Sequence, residues 1–161
     1  MLQTKIWKYF TIGDLFDVVK GTKLKKSHMK YGDIRFIGAS DTNNGMIRKI
    51  ANKEHLHAPN TITVCCNNNI SVAFYQNETF WAADSVNVLY PKFDMNRYIA
   101  LFICTVIDKA GQKYKHSGKW TRKAMAKEKI KLPVTNNDEP DYDFMENYMK
   151  MLEKKVLTAT Q

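Results

Sequence analysis

Asp94-Met95-Asn96-Arg97-Tyr98-Ile99-Ala100-Leu101-Phe102-Ile103-Cys104-Thr105-Val106-Ile107-Asp108-Lys109 is the stretch on which the fold turns. Its opening run Asp94-Met95-Asn96 offers N-caps, and Gly111 stands where a helix begun at Arg97 would stop. Tyr98, Ile99, Leu101, Phe102, Ile103, Val106 and Ile107 lie all round the axis instead of along one stripe. The spacing therefore predicts a buried core helix over residues 97–109, packed on a sheet.

The strands for that sheet lie upstream. Thr61 to Cys66, Ser71 to Tyr75 and Ser85 to Tyr90 are rich in β-branched and aromatic residues, as strands require. Asn67-Asn68-Asn69 joins the first two as a tight turn. Ile34-Arg35-Phe36-Ile37-Gly38 reads as a further short strand, and Asp41-Thr42-Asn43-Asn44-Gly45 is a dense turn signal. Before it, Trp7, Phe10, Ile12, Leu15, Phe16, Val18 and Val19 form a mixed hydrophobic opening that ends at Gly21. The expected architecture is α/β (α+β), with a mixed, mostly antiparallel sheet on a buried helix, in one domain over residues 1–135.

Downstream, Lys109 to Lys131 holds nine Lys/Arg and one acid, Glu128, with Tyr114, His116 and Trp120 between the charges. Such a run is an electrostatic grip for a phosphate backbone, although a solvated helix face has the same composition. Tyr114-Lys115-His116-Ser117-Gly118-Lys119-Trp120 has the irregular spacing of a loop against a ligand, and Trp120 reads as packing. Pro133 then ends any helix and begins an extended exit. A second basic patch, Lys20, Lys23, Lys25, Lys26 and Lys30, has no acid within it.

Residues 136–161 read differently. Asn136-Asn137-Asp138-Glu139-Pro140 is a polar turn into a helix from about Asp141, with acids in the first turn and Lys154-Lys155 near the end, as the helix dipole favours. Met145, Tyr148, Met149, Leu152 and Val156 make one apolar stripe. It serves either to dock on its own domain or to meet a partner helix.

Composition bounds the rest. With 161 residues, 44% hydrophobic and 12% aromatic, the chain can bury a core. The formal charge of +9 divides into +12 over residues 1–135 and −3 over residues 136–161. Three cysteines, two of them adjacent, form no disulfide framework and suit a reducing cytoplasm. The longest apolar run, Tyr98 to Ile107 broken by Thr105, is too short for a bilayer. No secretory signal precedes Phe10. There is no dinucleotide fingerprint or P-loop. His55 and His57 near Cys65-Cys66 match no common zinc spacing. The acids around Asp138 are explained by capping, and no nucleophile–base set stands out. The sequence argues for binding rather than catalysis, so a small nuclease is the weakest reading.

Three groups of motifs, in order, resemble the target recognition domains of specificity (S) subunits of Type I and related Type II restriction-modification systems. The first is Gly13-Asp14-Leu15-Phe16-Asp17-Val18-Val19-Lys20-Gly21-Thr22 through Phe36-Ile37-Gly38-Ala39-Ser40-Asp41 and Asn43-Asn44-Gly45. The second is Thr61-Ile62-Thr63-Val64, Phe74-Tyr75-Gln76, Phe80-Trp81-Ala82 and Asp84-Ser85-Val86-Asn87-Val88-Leu89. The third is Gly118-Lys119-Trp120, Ile130-Lys131-Leu132-Pro133-Val134, Glu139-Pro140-Asp141 and Phe144-Met145-Glu146. Asn68 and Ser71 stand where the family commonly has glycines.

The resemblance implies a domain that reads a few base pairs of duplex DNA, followed by a pairing helix. With one domain and one short helix, the chain looks like a half-subunit that dimerises onto a symmetric, bipartite site. Methyltransferase (M) and restriction (R) subunits would be its partners, and S-adenosylmethionine would be bound by the methyltransferase. The competing reading is a truncated S-like regulator that dimerises or occupies the methyltransferase without reading DNA.

Phosphate contacts supply affinity and base edges supply specificity. The expected phosphate contacts are Lys23, Lys25, Lys26, Lys115, Lys119 and Arg122. The expected base readers are Asn43, Asn44, Asn67, Asn68, Asn69 and His116, since an Asn can bond adenine through two atoms. Each of these asparagines also reads as a turn former, and for any single one that reading is the stronger.

Overall fold

The structure, a computed structural model, describes residues 2–65, 67, 72–116 and 118–160. In chain order its elements are β1 (Trp7–Thr11), α1 (Ile12–Leu15), β2 (Phe16–Lys20), β3 (Tyr31–Ile37), β4 (Met46–Ile50), β5 (Thr61–Cys65) and β6 (Ala73–Gln76). They continue with β7 (Phe80–Ala82), β8 (Val86–Pro91), α2 (Arg97–Gly111), α3 (Arg122–Lys127), β9 (Lys129–Pro133) and α4 (Tyr142–Ala159). Single 3-10 turns cover Lys26–His28, Asn43–Gly45 and Gln112–Tyr114.

Four antiparallel strands in the order β2-β8-β5-β6 form the central sheet. Side-chain alternation divides its two faces. Phe16, Ile62, Val64 and Leu89 join one core cluster with Ile99, Phe102, Ile103 and Ile107 of α2. Val86 and Val88 point the other way, onto Ile37, Phe80 and Ala82 of a second sheet. That sheet has the order β4-β3-β7, with β3 and β7 parallel. The result is three layers, and β5 is buried along its whole length because both of its faces are covered. The central helix turns Ile99, Phe102, Ile103 and Ile107 into the core and leaves Arg97, Thr105 and Lys109 exposed along its other face, so it is buried on one side rather than all round as its composition suggests.

α2 begins where the sequence indicates: Asn96 Oδ1 accepts from the Ile99 N–H at 3.0 Å. It does not stop at a left-handed glycine. Gly111 has φ −74° and is buried, and the chain continues into the turn Gln112–Tyr114. The helix ends at Gly111, where the sequence places its stop, without the left-handed conformation of a glycine cap. β1 and β9 pair into a two-stranded ribbon on the far side of α2, where Trp7 stacks on Phe102 at 5.9 Å.

α4 starts at Asp141, whose carboxylate accepts from the Phe144 N–H at 3.0 Å and bridges to Lys5 at 2.7 Å. Met145 is fully buried in the main cluster, with Tyr148 and Met149 packed against it. Polar contacts clamp the helix to the start of α2: Asn96 bonds Glu146, Arg97 bridges Glu153 at 3.1 Å, and the Tyr98 hydroxyl donates to Glu153 at 2.7 Å. Beyond Glu153 the stripe emerges, and Val156 and Leu157 are 62% and 60% exposed. The stripe thus docks on its own domain at one end and stands clear at the other.

Candidate nucleic-acid interface

The basic stretch of residues 109–131 is not one loop. It passes through the end of α2, a 3-10 turn, an irregular segment to Thr121, then α3 and β9. Thr121 caps α3 by accepting from the Ala124 N–H at 3.2 Å. Of α3 only Met125 is buried, so its helical period is too short to be read from sequence. Trp120 is buried and stacks on Tyr114 at 4.9 Å. Asn87, buried in β8, donates to the Trp120 carbonyl at 3.3 Å and so ties the segment to the sheet. Trp120 is a packing anchor, as expected.

That anchoring builds a cationic cleft of about 400 Å³ at one end of the central sheet. Lys20 comes from the end of β2, Ser85 from just before β8, Asn87 from its start, and Asn67 from just past β5. Lys119, Thr121, Arg122 and Lys123 close the other side, and Asp84 is the one acid in the lining. Lys20, Lys119, Arg122 and Lys123 are all exposed and have no ion-pair partner among the described residues. Sequence reasoning chose Lys119, Arg122 and Asn67. It passed over Lys20 and Lys123 as ligand contacts, because only the pairing of β2 with β8 brings Lys20 across from α3.

The second basic patch adjoins this cleft. Gly21 donates to the Val86 carbonyl and Thr22 to the Ala82 carbonyl, both at 2.8 Å, while the Trp81 indole N–H donates to the Thr22 carbonyl at 2.8 Å. A Cβ on Gly21 would sit 2.0 Å from the Ala83 carbonyl oxygen, so only glycine passes here. Lys23 follows on the same segment, at most about 10 Å along the chain from Lys20, and lines a neighbouring hollow with Asn52, Glu54, His55 and Trp81. Lys25 and Lys26 extend the patch as exposed side chains on a turn whose far end is pinned by Asn52, which accepts from the Lys30 N–H at 2.8 Å.

The other candidates separate from this surface. Asn43 and Asn44 have φ of 52° and 56°, the left-handed region that Asn tolerates. The Asn44 amide donates to the Tyr75 carbonyl at 3.0 Å and to Gln76 Oε1 at 3.2 Å, and Gln76 Nε2 donates back to the Asn44 carbonyl at 3.0 Å. Because Thr61 pairs with Gln76, this turn sits at the opposite end of the central sheet from Lys20. Asn44 is therefore a turn former with its amide already engaged. His116 is exposed, and Lys115 lies close enough to Asp108 to offset part of the burial that raises that carboxyl's pKa. Asp108 in turn accepts from the Ala73 N–H at 2.6 Å. Asn68, Asn69, Ser71 and Cys66 lie outside the described residues.

His57 belongs to the core. It stacks on Phe80 at 5.3 Å, and its Nδ1 lies 2.7 Å from the Tyr90 hydroxyl. Burial first, and the charge of His55 second, hold its pKa below 6.5. Among the described residues, no group of three His, Cys, Asp or Glu side chains could hold a metal ion. No helix among them is long and apolar enough to cross a membrane.

Residues 4–159 match the sequence profile of the Type I restriction modification DNA specificity domain. The chain belongs to that family. The specificity domain is 33% identical over 155 residues to the specificity subunit S.BcgI of the Type II restriction enzyme BgcI from Heyndrickxia coagulans. That match covers 96% of this chain and 46% of the relative. The chain thus spans about half the length of the curated relative.

Its fold is that of solved specificity subunits. A chain from a study of complex assembly and conformational transition in the type I R-M system superposes with a TM-score of 0.71 at 14% identity, over 95% of this chain and 40% of that one. The HsdS subunit from Thermoanaerobacter tengcongensis gives 0.68 at 13%, over 94% and 38%. The type I S subunit from M. genitalium gives 0.58 at 18%, over 99% and 44%. The mixed α/β architecture expected from the sequence is thus the architecture of this specificity domain.

Proposed function

We propose that this chain reads duplex DNA as a specificity subunit, itself without catalytic chemistry, in a cytoplasmic restriction-modification complex. The observation that carries the reading is the cleft where Lys20, Lys119, Arg122 and Lys123 converge with Asn67 and continue into Lys23, Lys25 and Lys26. Cations without carboxylate partners, on elements held rigid by Asn87 and Gly21, suit the phosphates of a duplex. Asn67, among those cations, supplies a base-reading amide. The exposed end of α4, with Val156 and Leu157, pairs with the same segment of a second copy, which gives a two-fold, bipartite site. A methyltransferase subunit holding S-adenosylmethionine, and a restriction subunit, supply the chemistry. The charge concentrated in the cleft favours this reading over a regulator that occupies the methyltransferase without DNA.

The test combines solution mass with selection. The chain is expected to form a complex with its methyltransferase that contains two copies of the chain. That complex is expected to enrich one bipartite sequence from randomised duplexes at physiological salt. A complex that forms and enriches nothing would refute the DNA-reading role.

A further inference from the structure

Of the six lysines of the basic stretch that do not line the cleft, four share another surface. Lys109, Lys113, Lys129 and Lys131 line a separate groove of about 740 Å³ between the end of α2 and the β1–β9 ribbon. No residue lines both, and α3 runs between them, with Arg122 and Lys123 at its start and Glu128 just past its end. Trp7, Val106, Ala110 and Ile130 supply an apolar lining, and Tyr9 stands beside it, 65% exposed, with the Lys131 ammonium 5.6 Å from its ring centre. Glu128 is the one acid, and it is already engaged by Lys113 at 2.7 Å and by the Tyr114 hydroxyl at 2.6 Å. Lys109, Lys129 and Lys131 have no carboxylate partner among the described residues, whereas Lys5, Lys8, Lys92 and Lys150 each have one.

Two features of the groove identify its occupant. Uncompensated lysines around a concave surface select a negatively charged ligand. An apolar lining with an exposed aromatic selects one that also has carbon surface to bury. A phosphodiester backbone meets the first condition and not the second. We infer that this groove receives an acidic, apolar-faced segment of the methyltransferase subunit. The inference rests on the proposed function and adds to it a docking surface distinct from both the DNA cleft and α4. The basic stretch then has two tasks: Lys119, Arg122 and Lys123 meet DNA on one side of α3, and Lys109, Lys129 and Lys131 meet protein on the other.

The experiment uses the full chain, its purified methyltransferase subunit and a labelled duplex, with three variants. K109Q/K129Q/K131Q empties the groove of charge, Y9A removes an exposed ring without disturbing the core, and K20Q/K119Q/R122Q serves as the cleft control. Thermal melts establish that each is folded. The groove triple and Y9A are expected to weaken methyltransferase binding about tenfold or more and to leave duplex affinity of the chain alone within about threefold. The cleft triple is expected to do the reverse. Groove variants that keep methyltransferase affinity overturn the inference, and a loss of duplex affinity instead would make the groove part of the DNA footprint. Wild-type chain that fails to bind the methyltransferase at all would refute the proposed function and this inference with it.

Discussion

Neutralising Lys119 and Arg122 together should change how DNA binding depends on salt, and the size of the change follows from the cleft. Each phosphate neutralised by a cation contributes about −0.9 to the slope of log affinity against log salt on duplex DNA. The four cations converging there, Lys20, Lys119, Arg122 and Lys123, therefore contribute about −3.6 in the wild type. Between about 50 and 200 mM salt that amounts to roughly a 150-fold loss of affinity, and K119Q/R122Q should reduce the cleft's share to about 12-fold. The connector lysines Lys23, Lys25 and Lys26 add to both slopes and leave the difference of about 1.8 intact. Glutamine keeps a hydrogen-bonding side chain, so the comparison isolates charge. Fluorescence anisotropy on one duplex at five salt concentrations reads the slopes directly. A variant slope within about 0.5 of wild type would remove both residues from the phosphate footprint, and with them the cleft as the DNA surface.

Three further outcomes are expected. G21A forces a Cβ into the Ala83 carbonyl and strains the bonds from Gly21 and Thr22 to the sheet; overpacking with two weakened hydrogen bonds should cost about 3 kcal/mol, roughly 6–12 °C in Tm. Calorimetry checks this, and a shift under about 2 °C would mean the segment relaxes freely. N44A removes the amide bonds to Tyr75 and Gln76 and puts alanine at φ 56°; it should cost about 2–3 kcal/mol in urea unfolding while the selected DNA sequence stays the same. A changed sequence preference would restore Asn44 as a base reader. Because burial holds His57 below its ordinary 6.5 in the folded state, the unfolded chain takes up more protons as pH falls through that value. His57 should therefore make the protein progressively less stable from pH 7 downward, and H57Q should flatten the dependence of the urea midpoint between pH 7.5 and 5.5. Parallel curves for the two proteins would contradict it.

The elements legible in the sequence are those whose residues carry their own environment. α2 is rich in apolar residues and capped by Asn96. β5 and β8 are runs of residues that suit burial, and the observed strands begin and end within a residue of the expected ones. β4 was not legible: Met46-Ile47-Arg48-Lys49-Ile50 is an exposed edge whose burial pattern does not alternate. β7 has three residues, too few for any period, and α3 buries only Met125. In the site, residue chemistry pointed to basic segments but could not divide them between the cleft and the groove. Whether a lysine near residue 120 faces the cleft or the groove depends on which side of α3 it leaves the chain. Lys20 reaches the cleft only because β2 lies beside β8, a pairing about seventy residues apart in sequence. Asn43 and Asn44 suited a turn better than base reading taken singly, and the geometry assigns Asn44 to the turn.

The edges of the two sheets bear on how this molecule behaves when it is concentrated. β6 ends under the Asn43–Gly45 turn, whose Asn44 amide already occupies the Tyr75 carbonyl. β4 is an edge of the other sheet, where the Asn43 amide donates to the Met46 carbonyl at 3.5 Å, and an edge strand is where a further strand can pair. A second copy of β4 laid against it would bring its own Arg48 and Lys49 against these, both exposed, so the edge repels its own kind. Open strand edges are where folded domains begin to aggregate, and here the two cations guard that edge in the crowded interval before any partner arrives.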